Sequence, residues 1–121
     1  MKKVLFGFIV VLIQGAFSLT SNAGEFEWLD NLNVQATADS SGFVARLATR
    51  FHIDDVEIRA VVNQVANASD AYMVFRLGEL SHRPIGEVLN VYRENKQNGW
   101  GRMAKNLGIK PGSREFHALK Q

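Results

Sequence analysis

Short runs of apolar residues at helical spacing, separated by residues that begin or end helices, follow one another along most of this 121-residue chain. The clearest run follows Pro84, because proline is compatible with the first turn of a helix and the next apolar residues fall on one face. These residues are Ile85, Val88, Leu89 and Tyr92, in a helix predicted to reach Lys96. Similar runs follow Ser41, Asp54, Ser69, Gly99 and Ser113. Since no run alternates as a strand does, the sequence predicts an all-α bundle of five or six short helices.

Several helix ends carry recognisable capping residues. Asp54, with Glu57 three residues later, has the form of a capping box, and Ser69 is a good N-cap residue. Gly108 is typical of a helix that ends in the left-handed conformation, and Ser113 suits the N-cap of a last helix. The boundaries of the predicted helices rest on these residues.

Two segments, residues 47–53 and 103–109, match in residue type, and each falls where one predicted helix turns into the next. The pattern fits the first part of a helix-turn-helix unit, which would make the C-terminal part helix-turn-helix-like. It is also typical of ordinary helical hairpins, which we favour because so short a pattern arises easily in helical proteins. Residues 26–38 stay open, since their apolar spacing fits a short helix or a strand.

The N-terminus has the features of a secretory signal peptide. Lys2 and Lys3 precede an apolar run over residues 4–17, and Ala23 ends a stretch with small side chains at the positions that signal peptidase recognises. Cleavage after Ala23 leaves a single domain, residues 24–121. The apolar run is shorter than the roughly 20 residues that span a bilayer, so a membrane anchor is the less favoured alternative. We therefore expect a bacterial protein that is periplasmic or secreted.

Charge is unevenly distributed along the mature domain, although its total is close to neutral. Without Lys2 and Lys3 the chain has 12 basic and 12 acidic side chains, which argues against a protein that coats nucleic acid along its whole length. Residues 24–79 carry nine acids and four bases, whereas residues 80–121 carry eight bases and three acids. The basic half suits an anionic partner, or the two halves attract each other within the fold or in a dimer. We favour the internal attraction.

The basic half also contains two aromatic residues among its positive charges. Bases interleaved with aromatic rings are typical of surfaces that stack on nucleobases or sugars. The candidate binding residues are Tyr92, Arg93, Lys96, Trp100, Arg102, Lys105, Lys110 and Arg114. For Trp100 we favour a buried position, because a glycine on either side lets the large ring tuck under the chain.

Groupings of catalytic or metal-binding residues are sparse. His52, His82 and His117 lack the spacing of a metal site, no cysteine is present to complete one, and the two aspartates after His52 suit a helix cap better. No serine lies in a nucleophile elbow, and no glycine-rich loop follows a strand. Glu87 and Glu94 share a helical face, but glutamates beside arginines usually form a solvated salt-bridge surface. The sequence therefore predicts no catalytic residue, no metal and no cofactor, and only Glu87, Glu94 and His117 are candidates for a hydrolase.

The C-terminal part has a distinctive sequence. Residues 99–120 read GWGRMAKNLGIKPGSREFHALK, with the segment YRENK shortly before them at residues 92–96. This pattern, GWGxxAKxLGIKPGSxEFHALK, resembles a family of small exported bacterial helical proteins of unknown function. The resemblance covers about residues 69–120, with residues 71–84 corresponding to the middle of the family's sequence. It implies a signal peptide and a helical fold, and it carries no activity, substrate or cofactor.

Together these features predict a non-enzymatic periplasmic interaction module. Its basic C-terminal helices would bind an anionic polymer or a protein of the cell envelope. A nucleic-acid-binding protein with a helix-turn-helix-like unit is the alternative, although export argues against it. An envelope hydrolase is a third hypothesis. The sequence does not identify the partner or the oligomeric state.

Overall fold

The computed structural model describes residues 26–121, so the predicted signal peptide lies outside the described residues. In this part of the chain the fold is all-α, as predicted, with seven α-helices, one short 3-10 helix and no strand. They are α1 (Leu29–Ala38), α2 (Ser40–Phe51), α3 (Asp55–Val62), α4 (Ala68–Ser81), α5 (Ile85–Asn95), the 3-10 helix (Lys96–Asn98), α6 (Trp100–Asn106) and α7 (Arg114–Leu119). Among these elements, none has both the length and the apolar character of a membrane-spanning helix.

The segment that the sequence left open, residues 26–38, contains helix α1. Tertiary packing explains this outcome, because α1 lies against α2 and α4 and buries Leu29 and Ala36 there. Just before the helix, the ring of Trp28 meets the ring of Tyr72 edge-on, with 5.7 Å between their centroids. With this helix, the described residues contain seven α-helices, one more than the five or six that the sequence predicted.

Helix α4 lies at the centre of the fold. It packs against α1, α3, α5 and α7, and its buried side chains point to several sides of the helix. They are Ser69, Ala71, Met73, Val74, Phe75 and Leu77. Gly78 is also buried, and a Cβ atom there would lie 3.0 Å from Cδ1 of Ile85, so the glycine lets α5 approach closely.

The helices group into two lobes around α4. The N-terminal lobe, residues 26–67, contains α1, α2 and α3, in which α2 packs against both of its neighbours. The C-terminal lobe, residues 82–121, contains α5, α6 and α7, in which α6 packs against α5 and the 3-10 helix. Helices α1 and α3 of the N-terminal lobe and α5 and α7 of the C-terminal lobe pack against α4, and the end of α2 adds ring contacts of Phe51 with Tyr72 and Phe75.

The N-terminal ends of the helices differ in part from the predicted caps. Helix α4 is capped by Asn67 rather than Ser69, because the Asn67 side chain accepts a hydrogen bond from the Asp70 amide at 3.1 Å. Similarly, α2 is capped by Asp39, which precedes the expected Ser41. Asp54 does stand at the N-cap of α3, but its side chain makes no capping hydrogen bond, so the predicted capping box is not formed.

The end of the chain follows the prediction closely. Ser113 caps α7 by accepting a hydrogen bond from the Phe116 amide at 3.1 Å, and α7 ends at Leu119. Helix α6 ends before Gly108, whose φ of +92° is the left-handed conformation expected of it.

The repeated sequence pattern corresponds to a shared type of helix end. The amide of Ile109 bonds to the carbonyl of Ala104 at 2.9 Å, around the left-handed Gly108. Likewise, the amide of Ile53 bonds to the carbonyl of Ala48 at 3.1 Å, around a left-handed histidine. These six-to-one hydrogen bonds are characteristic of the Schellman motif. Capping chemistry therefore explains why the two segments match.

Gly99 joins the 3-10 helix to α6 with φ +90° and ψ +166°, a region that is essentially accessible to glycine alone. We predict that Gly99→Ala lowers the free energy of unfolding by about 1 to 3 kcal/mol, because a Cβ atom strains this conformation. Urea unfolding followed by circular dichroism measures the change.

The control is Gly86→Ala in α5, where an added Cβ meets no atom within 4 Å. Alanine in a helix is more favourable than glycine, so this variant should gain about 0.5 to 1 kcal/mol. Equal effects of the two substitutions would contradict the role assigned to Gly99.

Candidate binding surface

Tyr92 lies inside the fold, not on the proposed binding surface. It is 2% exposed, on the face of α5 that packs against α4. Its hydroxyl donates a hydrogen bond to Oδ2 of Asp70 at 2.6 Å and accepts one from the Ala66 amide at 2.9 Å. The expectation that Tyr92 contacts a ligand is therefore not supported, because the helices around it already cover the ring.

Burial shifts the pKa values of both groups in this hydrogen bond, the Tyr92 hydroxyl and the Asp70 carboxyl. Burial first, and then the bond to Asp70, raise the pKa of Tyr92 to about 12. Burial also raises the pKa of the Asp70 carboxyl, against the opposing effects of the Tyr92 hydroxyl and the Lys96 charge. Tyr92 therefore remains protonated at neutral pH and acts as a donor that links α5 to the start of α4.

Trp100 occupies an intermediate position at the start of α6. Its ring stacks on that of Tyr92, with 6.0 Å between the centroids and 29° between the planes. It is partly buried and packs against the apolar core. The favoured interpretation of Trp100 as a packing residue agrees with this placement, although one part of the ring reaches solvent.

The basic candidate residues all lie on the surface of the C-terminal lobe. Those with exposed side chains are Arg93, Lys96, Arg102, Lys105, Lys110 and Arg114. Arg93 is held by Oδ1 of Asn90 at 2.6 Å and by Oε1 of Gln64 at 3.4 Å. Arg102 and Lys105 are three positions apart on α6, so they share one side of that helix. Within residues 26–121, none of the six makes an ion pair.

Among residues 26–121, the three ion pairs each join residues of the same half of the sequence. Arg50 and Arg76 both bind Glu79, at 2.9 and 2.7 Å, and all three residues belong to the acidic half. Arg83 binds Glu87 at 3.3 Å within the basic half. Against the larger effect of burial, the charge of Lys96 lowers the pKa of Asp70 across the two halves, but the three ion pairs leave most of the asymmetry in place.

Glu79 is a structural centre that the sequence did not reveal. Arg50 from α2 binds it through both guanidinium nitrogens, and Arg76, one turn before it, adds a third bond. Arg76 also donates to the carbonyl of Ala118 in α7 at 3.2 Å. Hydrogen bonds from Arg50, more than those from Arg76, lower the pKa of Glu79. No local spacing signals this contact, because Arg50 is distant in sequence.

A cleft of about 290 Å³ opens in the C-terminal lobe, where the end of α4 faces the loop between α6 and α7. Its lining is partly apolar and partly polar. Its lining includes Leu80, Ser81, Leu107, Ile109, Lys110 and Glu115. The Ser81 hydroxyl is buried and has no hydrogen-bond partner among the described residues. Sequence reasoning identified Lys110 but not the cleft beside it.

The described residues contain no group of three histidine, cysteine, aspartate or glutamate side chains that could hold a metal ion. His52 and His82 are the C-cap residues of α2 and α4, and both adopt the left-handed backbone conformation, with φ of +57° and +60°. Of the three hydrolase candidates, Glu87 pairs with Arg83, while Glu94 and His117 are exposed. The geometry thus gives no support to a catalytic centre built from these residues.

Comparisons with protein-family models, with curated proteins and with solved structures returned no match for this chain.

We predict that Tyr92→Phe lowers the free energy of unfolding by about 1 to 3 kcal/mol, because the Asp70 carboxylate and the Ala66 amide both lose a partner. The Tyr92 hydroxyl stabilises the ionised form of Asp70, so the loss should be larger at about pH 7 than at about pH 3. Urea unfolding of the wild type and the variant at the two pH values measures this loss of stability.

Tyr72→Phe is the matched control, since within residues 26–121 the Tyr72 hydroxyl makes no hydrogen bond and its ring packs on Trp28 and Phe51. It should change stability by less than about 0.5 kcal/mol. If Tyr92→Phe behaved in the same way, the hydroxyl would not be the link between α5 and α4.

Proposed function

We propose that the protein is an exported, non-enzymatic interaction module of the bacterial envelope. Its C-terminal lobe binds an anionic polymer or a protein with an acidic surface. The observation that carries the proposal is the group of six exposed basic side chains that make no ion pair within residues 26–121. Unpaired surface charges of one sign attract an oppositely charged partner and make binding dependent on salt.

The position of the aromatic residues refines this proposal. Because Tyr92 is buried and Trp100 is partly covered, the surface offers charge rather than a pair of stacking rings. This favours a partner recognised by its negative charge over one recognised by stacking on bases. Nucleic acid therefore remains the less favoured alternative.

Export is the first part of the proposal to test. We expect the native protein in the periplasmic fraction of its own bacterium to begin at Gly24, as measured by intact mass spectrometry. An uncleaved species in the membrane fraction would contradict export as a mature domain. It would make residues 4–17 an anchor and bring the basic lobe close to a lipid surface.

The basic surface is tested by charge reversal. We expect the mature protein to retain acidic components of an envelope extract at low salt, and the double variant Lys105→Glu, Lys110→Glu to lose most of this retention. The matched control is Arg46→Glu, Arg59→Glu, which reverses two exposed bases of the N-terminal lobe. Retention is quantified over a series of salt concentrations.

The control variant should bind as the wild type does. Equal retention by all three proteins would contradict the assignment of the basic surface. A gel shift with duplex DNA that weakens with salt, and that is lost in the Lys105→Glu, Lys110→Glu variant, would favour the nucleic-acid alternative instead.

A further inference from the structure

An apolar side chain stands exposed within a group of acids on the N-terminal lobe. Val56 is 78% exposed, more than any other large hydrophobic residue in the described part of the chain. Its sequence neighbours Asp54, Asp55 and Glu57 are all exposed as well. Helix α3 packs on the core through Ile58 and Val61, which leaves Val56 outside the domain. We call these four residues, 54–57, the acidic knob.

The cleft in the C-terminal lobe has the complementary character. Leu80, Leu107 and Ile109 form its apolar wall, in which Leu80 is the most accessible member because Leu107 and Ile109 are each only 4% exposed. The Ser81 hydroxyl beside them has no partner among the described residues. Lys110 lines the cleft. The Arg83 guanidinium lies near it, since a Cβ added to the lining residue Gly108 would be 3.8 Å from Nη2 of Arg83. Glu115 is the acid among the lining residues.

We infer that the acidic knob of one copy docks into this cleft of a second copy. The inference rests on the proposed function, because it gives the basic lobe a specific protein partner. Val56 would be buried against the apolar wall, while the neighbouring acids meet Lys110 and the bases close to the cleft. Burial of an exposed apolar side chain supplies affinity, and opposite charges around it supply orientation.

Charge complementarity between the lobes supports a second copy as the occupant. The N-terminal lobe has six acids, none of which makes an ion pair within residues 26–121, against three bases. The C-terminal lobe has eight bases against three acids. Two such molecules attract each other when unlike lobes meet and repel when like lobes meet.

The arrangement follows from this pairing. Because the knob and the cleft are different surfaces, the contact is head-to-tail rather than two-fold symmetric. In a pair of copies, one copy keeps a free knob and the other keeps a free cleft. Further copies can therefore bind at both ends and form a ring or an open chain. The knob of a single molecule is exposed and does not occupy its own cleft.

Sedimentation velocity of the mature protein at low salt tests the inference. The weight-average mass should rise with protein concentration and fall towards the monomer as salt is added. Val56→Asp should weaken the self-association by about tenfold or more, because it removes the apolar side chain that the contact between two copies would bury. Val34→Asp is the matched control, since Val34 is 68% exposed on α1 between uncharged neighbours. It should associate as the wild type does.

A charge exchange makes the test specific for head-to-tail pairing. Asp54→Lys, Asp55→Lys reverses the knob, and Lys110→Glu, Arg114→Glu reverses the region of the cleft. Each variant alone should stay monomeric. A mixture of the two should associate, because every contact between unlike variants again brings opposite charges together.

The inference is overturned if the wild type stays monomeric at low salt, if Val56→Asp associates as well as Val34→Asp, or if the mixed variants do not associate. None of these results depends on an envelope partner. The proposed function is tested separately by retention of envelope components, so failure of one leaves the other distinguishable.

Discussion

Helix α4 can be buried on several sides only because the polar groups at its start are satisfied by side chains from other segments. The first amides of a helix have no partner within it, and burying them unpaired is unfavourable. Here Asn67 accepts from the Asp70 amide, Asn33 of α1 accepts from the Ser69 amide at 2.8 Å, and Tyr92 of α5 binds the Asp70 carboxylate. Both lobes thereby fix the same end of the central helix.

The sequence predicted the helical class and most helices, because apolar spacing and capping residues are local signals. Pro84, Gly108 and Ser113 mark helix ends that the structure confirms. Ser69 was a wrong cap, since Asn67, two residues earlier, takes that place. The site was less predictable: exposed bases could be identified by residue type, but the burial of Tyr92 depends on Asp70, 22 positions away. Contacts between residues so far apart in the sequence produce no periodic pattern from which they could be predicted.

The charge asymmetry of the sequence becomes an asymmetry of the molecule, because α4 stands between the two lobes. Internal attraction between the halves was the favoured expectation, yet the three ion pairs among residues 26–121 each lie within one half. Glu79 illustrates the reason: its two arginine partners come from α2 and from α4 itself, so it binds the N-terminal lobe to α4. The bases of α6 and of the loop after it, Arg102, Lys105 and Lys110, make no ion pair within residues 26–121.

The central position of α4 also determines how the domain opens. Its amide protons are covered by four neighbouring helices, so solvent reaches them only when those contacts are lost together. Hydrogen exchange in α4 should therefore report the stability of the whole domain. Helix α6 packs mainly on α5 and the 3-10 helix, with Phe116 of α7 also close to Gly101, so fewer helices have to separate before its amides can exchange. Arg102 and Lys105, two of the six exposed bases, are thus carried by a helix that fewer neighbouring helices hold in place than α4.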